Sequence, residues 1–159
     1  MVLNTGDETG AGPVVSAREV RGKLFADHVH LGELLKRAGR LAYRVLDGES
    51  AAAGPLREAI VALADPLAAH VDFEDLFLPS VIGHAPWGPI HLLHAKVNHA
   101  HQHDCMTALL DRAEHRPGDD QTLAEEALAL VRELVQDIAR EEHDLVHPDA
   151  LGAETAPPG

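Results

Sequence analysis

The chain has 159 residues, the size of one domain, and 26 acidic residues against 13 lysines and arginines give it a formal net charge of -13. A phosphate backbone or an anionic membrane surface would repel such a chain, so we expect neither a nucleic-acid nor a membrane partner. Apolar residues make up 45% of the sequence but aromatic residues only 3%. The apolar residues are mostly Leu, Ala and Val, which favours an all-α fold of closely packed helices.

The sequence also bears on the compartment. No stretch has the roughly 20 apolar residues that cross a bilayer, and no N-terminal segment combines a basic start with an apolar run. The single cysteine, Cys105, cannot form an internal disulfide or a cysteine-based zinc site. We therefore expect a cytoplasmic protein. Its compositional peculiarity is histidine, with 12 copies.

Both ends of the sequence lack a periodic apolar pattern. Residues 1–15 and 148–159 are predicted to be disordered tails around one domain at 16–147. Ser16 and Glu19 form a capping box that starts a first helix, which should end near Asp47 before Gly48.

A second helix is expected from Gly54-Pro55 to Pro79, with a kink or a break at Pro66, which removes a backbone hydrogen bond. The two glycines and two prolines of residues 80–89 then predict a connection, with Trp87 as a lid on the end of the bundle.

The third helix is predicted from Pro89 to His115 and the fourth from a capping box at Thr122 and Glu125 to about His147, before Pro148. Four helices of this length with short connections pack most simply as an antiparallel up-and-down four-helix bundle.

Polar residues interrupt the apolar stripe of every predicted helix. The first helix places a histidine among its leucines, and each of the others carries two metal-binding side chains four residues apart. These candidate ligands are His28, His70, Glu74, His99, His103, Asp137 and Glu141. Residues four apart lie one turn apart on one helix face, so such a pair can reach one metal ion or two adjacent ions. Glu142 lies nearer the centre of the fourth stripe and could either replace Glu141 as a ligand or contact a ligand from behind.

Burial of these groups indicates a metal site. An ionised carboxylate inside an apolar bundle costs several kcal/mol unless its charge is compensated, and two divalent cations would compensate it. Imidazole and carboxylate ligands suit iron or manganese, and they do not exclude zinc. The outward residues His94, Asn98 and His101, the pair His143 and His147, and Cys105 are expected to lie away from this site.

The order of these motifs resembles the hemerythrin-like, or HHE cation-binding, family over about residues 20–147. The resemblance lies in Asp27-His28, in the HxxxE from His70 to Glu74, in the HxxxH from His99 to His103 and in the acidic residues of the fourth helix. It implies a hemerythrin-like bundle with a non-haem di-iron centre, in which two carboxylates bridge the irons and an open position binds dioxygen or a similar small ligand.

One residue departs from this pattern, because Asp137 stands where the family has histidine. As a ligand, Asp137 would stabilise ferric iron, lower the reduction potential and favour oxygen or peroxide chemistry over reversible dioxygen carriage. If Asp137 does not bind, one of the two metal positions would be weak or absent.

The sequence thus predicts a di-iron protein, with manganese or zinc as alternative metals, that binds dioxygen, another diatomic molecule or peroxide for sensing, storage or detoxification. One alternative is a di-iron enzyme that acts on peroxide or nitric oxide or in iron–sulfur cluster repair. The other is a metal-free helical interaction module. The oligomeric state does not follow from the sequence.

Overall fold

The computed structural model describes residues 15–151, and throughout this range the regular structure is helical. The helices are α1 (Ala17–Leu46), α2 (Ala53–Ile82), α3 (Gly88–His115), α4 (Asp120–Leu145) and the short α5 (Pro148–Leu151), with a 3₁₀ turn at Ser50–Ala52. Four of these are long, and they pack together: α1 contacts α2 and α4, and α3 contacts the same two helices from the other side. None of the helices in residues 15–151 is long and apolar enough to cross a membrane.

The start of α1 is the predicted capping box. Oγ of Ser16 accepts the backbone N–H of Glu19 at 3.2 Å, and Oε2 of Glu19 accepts the backbone N–H of Ser16 at 2.9 Å. Two of the N–H groups that a first helical turn leaves open are thereby satisfied. The helix ends at Leu46, before Gly48 with its φ of +90°, as the sequence predicts.

The predicted end of the second helix at Pro79 is wrong. Helix α2 continues through both Pro66 and Pro79 to Ile82, and the connection shortens to residues 83–87. A proline near a helix end removes only its own hydrogen bond, and here the extra turn buries Val81 and Ile82. The gain from burying two branched apolar side chains exceeds that loss.

The predicted capping box at Thr122 and Glu125 is also wrong, because α4 begins two residues earlier, at Asp120. Tertiary ion pairs hold this start. Nη2 of Arg57 on α2 donates to Oδ1 of Asp120 at 2.6 Å, and Arg112 on α3 pairs with Asp119. The first turn of α4 is therefore positioned by two neighbouring helices rather than by a local cap.

The predicted C-terminal tail is wrong for residues 148–151, which form α5 against the bundle. Ala150 is fully buried, and Nε1 of Trp87 donates to Asp149 at 3.1 Å, which places Trp87 on this end of the bundle as expected. Arg21 of α1 donates from Nε to the carbonyl oxygen of Leu145 at 2.7 Å. The remainder of the predicted tails, residues 1–14 and 152–159, lies outside the described residues.

The apolar core consists of two clusters with a polar layer between them. The larger cluster includes Leu31, Leu67 and Leu134, and the smaller one includes Leu24, Leu78 and Leu145. On each of α1, α2 and α4, the residues between these leucines carry the candidate ligands. The order of apolar and polar residues along each helix thus positions one buried layer of histidines and carboxylates.

Candidate metal centre

Four side chains from three helices meet in the polar layer. They are His28 of α1, His70 and Glu74 of α2, and Glu141 of α4, and one ligand atom from each lies within 4.8 Å of one from every other. Nε2 of His28 is 3.2 Å from Oε2 of Glu141, and Nε2 of His70 is 3.2 Å from Oε1 of Glu74. The longer separations are 3.9 Å from His28 to Glu74 and 4.0 Å from His70 to Glu141.

These separations match those of ligands around one metal ion. Donor atoms about 2.1 Å from a shared ion lie about 3.0 to 4.2 Å apart for angles between about 90° and 180°. The four distances of 3.2 to 4.0 Å fall within this range. The group could therefore hold a metal ion.

Several side chains of the polar layer have buried atoms that lack a hydrogen-bond partner, although other polar atoms lie close by. Within residues 15–151, five buried side-chain atoms have no hydrogen-bond partner: Nε2 of His28, Nδ1 of His70, Oε1 of Glu74, Nε2 of His99 and Oε2 of Glu141. Buried polar groups are ordinarily paired, because an unpaired one costs about 1 to 3 kcal/mol. Nε2 of His28 and Nε2 of His99 lie 3.0 to 3.9 Å from the carboxylate oxygens of Glu74 and Glu141 without a hydrogen bond, so the donor set fits a cation.

His99 of α3 extends the centre on the other side of Glu74. Its Nε2 lies 3.0 Å from Oε2 of Glu74, whereas His28 and His70 approach Oε1 of the same carboxylate. Glu74 is 2% exposed and thus faces three imidazoles with its two oxygens. A carboxylate placed in this way can bridge two adjacent ions.

Carboxylates also lie behind the imidazole rings. Nδ1 of His99 hydrogen-bonds Oδ1 of Asp75 at 2.8 Å, and Nδ1 of His28 hydrogen-bonds Oε1 of Glu142 at 3.2 Å. Because an ionised carboxylate only accepts, each Nδ1 carries a proton, and a ring that loses its other proton to a metal ion would offer its Nε2 lone pair to the interior. Outer carboxylates of this kind orient the histidine ligands of metal sites.

Burial and mutual contact shift the pKa values of four groups in the layer, His28, His99, Glu74 and Glu141. Burial opposes protonation of His28, but Glu141 and Glu74 outweigh it and raise its pKa to about 9. Burial is likewise outweighed at His99, where Glu74 and Asp75 raise the pKa to about 9. Burial raises the pKa of Glu74, but the contacts with His28, His70 and His99 lower it more, so this pKa lies well below the ordinary value. Burial, with repulsion from Glu74 and Asp137, raises the pKa of Glu141 to about 8.

Asp137 is buried in the layer but does not join the four-residue group. Its Oδ2 accepts from Nε2 of Gln102 at 2.6 Å, and its Oδ1 accepts from Nδ2 of Asn98 at 3.0 Å and from Nη1 of Arg140 at 3.1 Å. Both oxygens are therefore occupied by protein donors. The side chains that could hold a metal ion therefore come together without Asp137.

His103 does not reach the site. Its side chain is 80% exposed, whereas that of His99 is 5% exposed. The inward residue one turn after His99 is Gln102, which the sequence analysis did not identify. Residues three and four positions apart both lie on one helix face. The sequence pattern therefore allowed either Gln102 or His103 to share the buried face of His99.

The structure distinguishes the two adjacent glutamates of α4. The Glu141 side chain is 12% exposed and belongs to the group, whereas that of Glu142 is 43% exposed and contacts the outer nitrogen of His28. Among the histidine-rich outer positions, His94, His101 and His143 are exposed as expected. Asn98 is not, since it is half-buried and holds Asp137.

No protein-family model matches the chain, and no curated protein or solved structure matches it significantly. Its function is therefore argued from the residues themselves. What they form is a buried histidine and carboxylate group, in a bundle of four long helices, that could hold a metal ion.

Proposed function

We propose that this protein binds iron in its polar layer and uses it to bind dioxygen, another diatomic molecule or peroxide for sensing, storage or detoxification. The observation that carries the proposal is that four buried atoms of the layer, Nε2 of His28 and His99, Oε1 of Glu74 and Oε2 of Glu141, have no hydrogen-bond partner within residues 15–151. A protein interior seldom keeps such atoms unpaired unless something else binds them. Manganese or zinc would fit the same nitrogen and oxygen donors.

We further propose an antiparallel, hemerythrin-like arrangement of the four long helices. Two features support it. The connections are short, at residues 47–52, 83–87 and 116–119, and short connections favour antiparallel neighbours. In addition, Arg21 near the start of α1 hydrogen-bonds Leu145 at the end of α4.

The two proposed iron positions are unequal. His28, His70, Glu74 and Glu141 would hold the first ion with four protein ligands. The second would have Nε2 of His99 and the other oxygen of Glu74, because Asp137 is already bonded to Asn98, Gln102 and Arg140. Fewer ligands give weaker binding, so we expect the first ion to bind more tightly than the second.

A groove between α2 and α3 supports the proposal of a small, weakly polar ligand, because such a molecule would fit its size and its mostly apolar walls. It has a volume of about 240 Å³, its walls include Ala68, Val71, Met106 and Leu110, and it reaches His99. Bound iron would supply an exchangeable coordination position and redox chemistry. The chain's own part is to orient the imidazoles through Asp75 and Glu142 and to keep water out with the apolar clusters above and below.

The raised pKa values of His28 and His99 favour one alternative to iron binding, the metal-free interaction module. Because the pKa values of His28 and His99 are raised to about 9, protonated imidazoles would neutralise the buried Glu74 at pH 7 without any metal, and Glu141, whose pKa is raised to about 8, would keep its proton. Under this alternative the ion pairs replace the cation, and added metal would have to compete with the protons on His28, His99 and Glu141.

Metal content per chain, measured by elemental analysis of protein purified without chelator, tests the proposal. We expect between one and two irons, and an anaerobic titration with Fe²⁺ should show two unequal steps. Glu74→Ala should lose most of the metal and keep its helical circular dichroism, because the apolar clusters remain. Wild-type protein that is fully helical yet takes up no iron, manganese or zinc would instead support the interaction module.

A further inference from the structure

A second group of metal-binding side chains lies on the surface between α3 and α4. His101 and Cys105 are one turn apart on α3, and Glu133 reaches them from α4. Nε2 of His101 lies 3.5 Å from Sγ of Cys105 and 3.2 Å from Oε2 of Glu133. Sulfur, nitrogen and oxygen ligands at about 2.0 to 2.3 Å from one ion have similar separations. The three side chains are therefore placed to hold one divalent cation, with water completing its coordination.

This surface group borders a pocket that extends inward. The pocket has a volume of about 180 Å³, with the exposed His101 and Glu133 on its outer side and the buried Gln102 and Asp137 on its inner side. Gln102 and Asp137 also line the interior space beside Glu74. A single layer formed by these two side chains thus separates the pocket from the central site.

The separating layer is built to rearrange. The hydrogen bonds described for the Asp137 carboxylate come from the side chains of Asn98, Gln102 and Arg140, so they can change while both helices stay intact. The contact between α3 and α4 is also the least extensive of the four between neighbouring long helices. Arg140 is more than half exposed, and its guanidinium can leave Asp137 for solvent.

The electrostatics of the surface group favour a cation. Burial raises the pKa of the Cys105 thiol, and the negative charges of Glu133, Asp104 and Glu126 raise it further. A divalent ion among these groups would reverse the balance and displace the thiol proton. Among the described residues, Arg140 is the only lysine or arginine that lines the pocket, and its positive charge opposes the entry of a cation.

We propose that the pocket between α3 and α4 is the route by which a divalent cation reaches the central site. His101, Cys105 and Glu133 form the capture site at its outer side, and Asp137 is the relay carboxylate that exchanges its amide and guanidinium partners for the passing ion. This inference rests on the proposed metal-binding function of the central site.

Anaerobic stopped-flow mixing with Co²⁺ tests the route, because cobalt bound to a thiolate absorbs in the near ultraviolet and cobalt bound to nitrogen and oxygen absorbs in the visible. In wild-type protein the thiolate band should appear first and decay as the visible bands grow. Cys105→Ser and Glu133→Gln should slow loading of the central site on the order of tenfold at low ionic strength, with the same final stoichiometry. Arg140→Gln should accelerate loading, because it removes the opposing charge.

Glu125→Gln is the matched control, since it removes the same charge from an exposed position of α4 outside the pocket, and its loading rate should equal that of the wild type. Loading of the Cys105→Ser and Glu133→Gln variants at the wild-type rate would overturn the route while leaving the central site in place. Wild-type protein whose central site never loads would refute the proposed function, and the route with it.

Discussion

Replacing Glu74 with glutamine keeps the volume of the most contacted side chain in the polar layer and removes its charge. The two Glu74 oxygens lie 3.0 to 3.9 Å from three histidine nitrogens. Loss of a side chain that only hydrogen-bonds to a metal ligand typically lowers the metal affinity about 10- to 100-fold. Glu74 is itself a proposed ligand, so its loss should lower the affinity at least about 100-fold.

This loss can be converted into a change in thermal stability. Free metal at about 100 times the wild-type Kd stabilises the folded protein by about 2.7 kcal/mol, and a variant with 100-fold weaker affinity retains about 0.4 kcal/mol. The difference of about 2.3 kcal/mol corresponds to about 5 to 9 °C in Tm for a domain approaching 150 residues.

The assay is thermal unfolding followed by circular dichroism, with the metal and with a chelator, for wild type and Glu74→Gln. Subtracting the chelator value removes any effect of the substitution on the metal-free protein. Glu58→Gln, an exposed change of the same kind on α2, should behave as wild type. A wild-type Tm that is the same with metal and with chelator would refute the metal assignment, and an equal metal response in Glu74→Gln would refute the role of Glu74.

The other residues of the layer give further expectations. His103→Gln should keep the full wild-type metal content in elemental analysis, because that side chain points to solvent; a loss would return His103 to the site. Asp137→Asn should change the affinity of the first ion by less than about threefold in an equilibrium titration, since it removes no ligand of that ion, and a loss near 100-fold would make Asp137 a ligand. The metal-free protein should lose Tm between pH 7 and pH 10. The pKa values of His28 and His99 are raised from 6.5 to about 9, so their stabilisation is complete below pH 6.5 and is lost as pH rises through 9. The rise of the Glu141 pKa to about 8 acts in the same direction. A metal-free Tm that is constant or rises over this range would contradict the reasoning.

The helices and the existence of the polar layer could be predicted from the sequence, because both depend on local patterns. The capping box at Ser16 and Glu19 specifies the start of α1 through two backbone hydrogen bonds of its own turn. His28 lies between Leu24 and Leu31, and Glu74 lies between Leu67 and Leu78, so each falls between the two apolar clusters. Helical periodicity is sufficient to place such residues on the buried face.

Tertiary structure alone decided how α3 and α4 are rotated about their own axes. On α4, Val135 is 52% exposed, whereas its neighbour Leu134 is buried. The same rotation selects Glu141 over Glu142, and the equivalent rotation of α3 selects Gln102 over His103. Neighbouring residues differ by about 100° around a helix, and spacings of three and four both satisfy the pattern. The choice between them depends on which side chains the other helices present, which a single sequence does not contain. The position of Asp137 near the core could likewise be predicted from the sequence. Its hydrogen-bond partners could not, because the Asn98 and Gln102 amides reach its oxygens only through the packing of α3 beside α4.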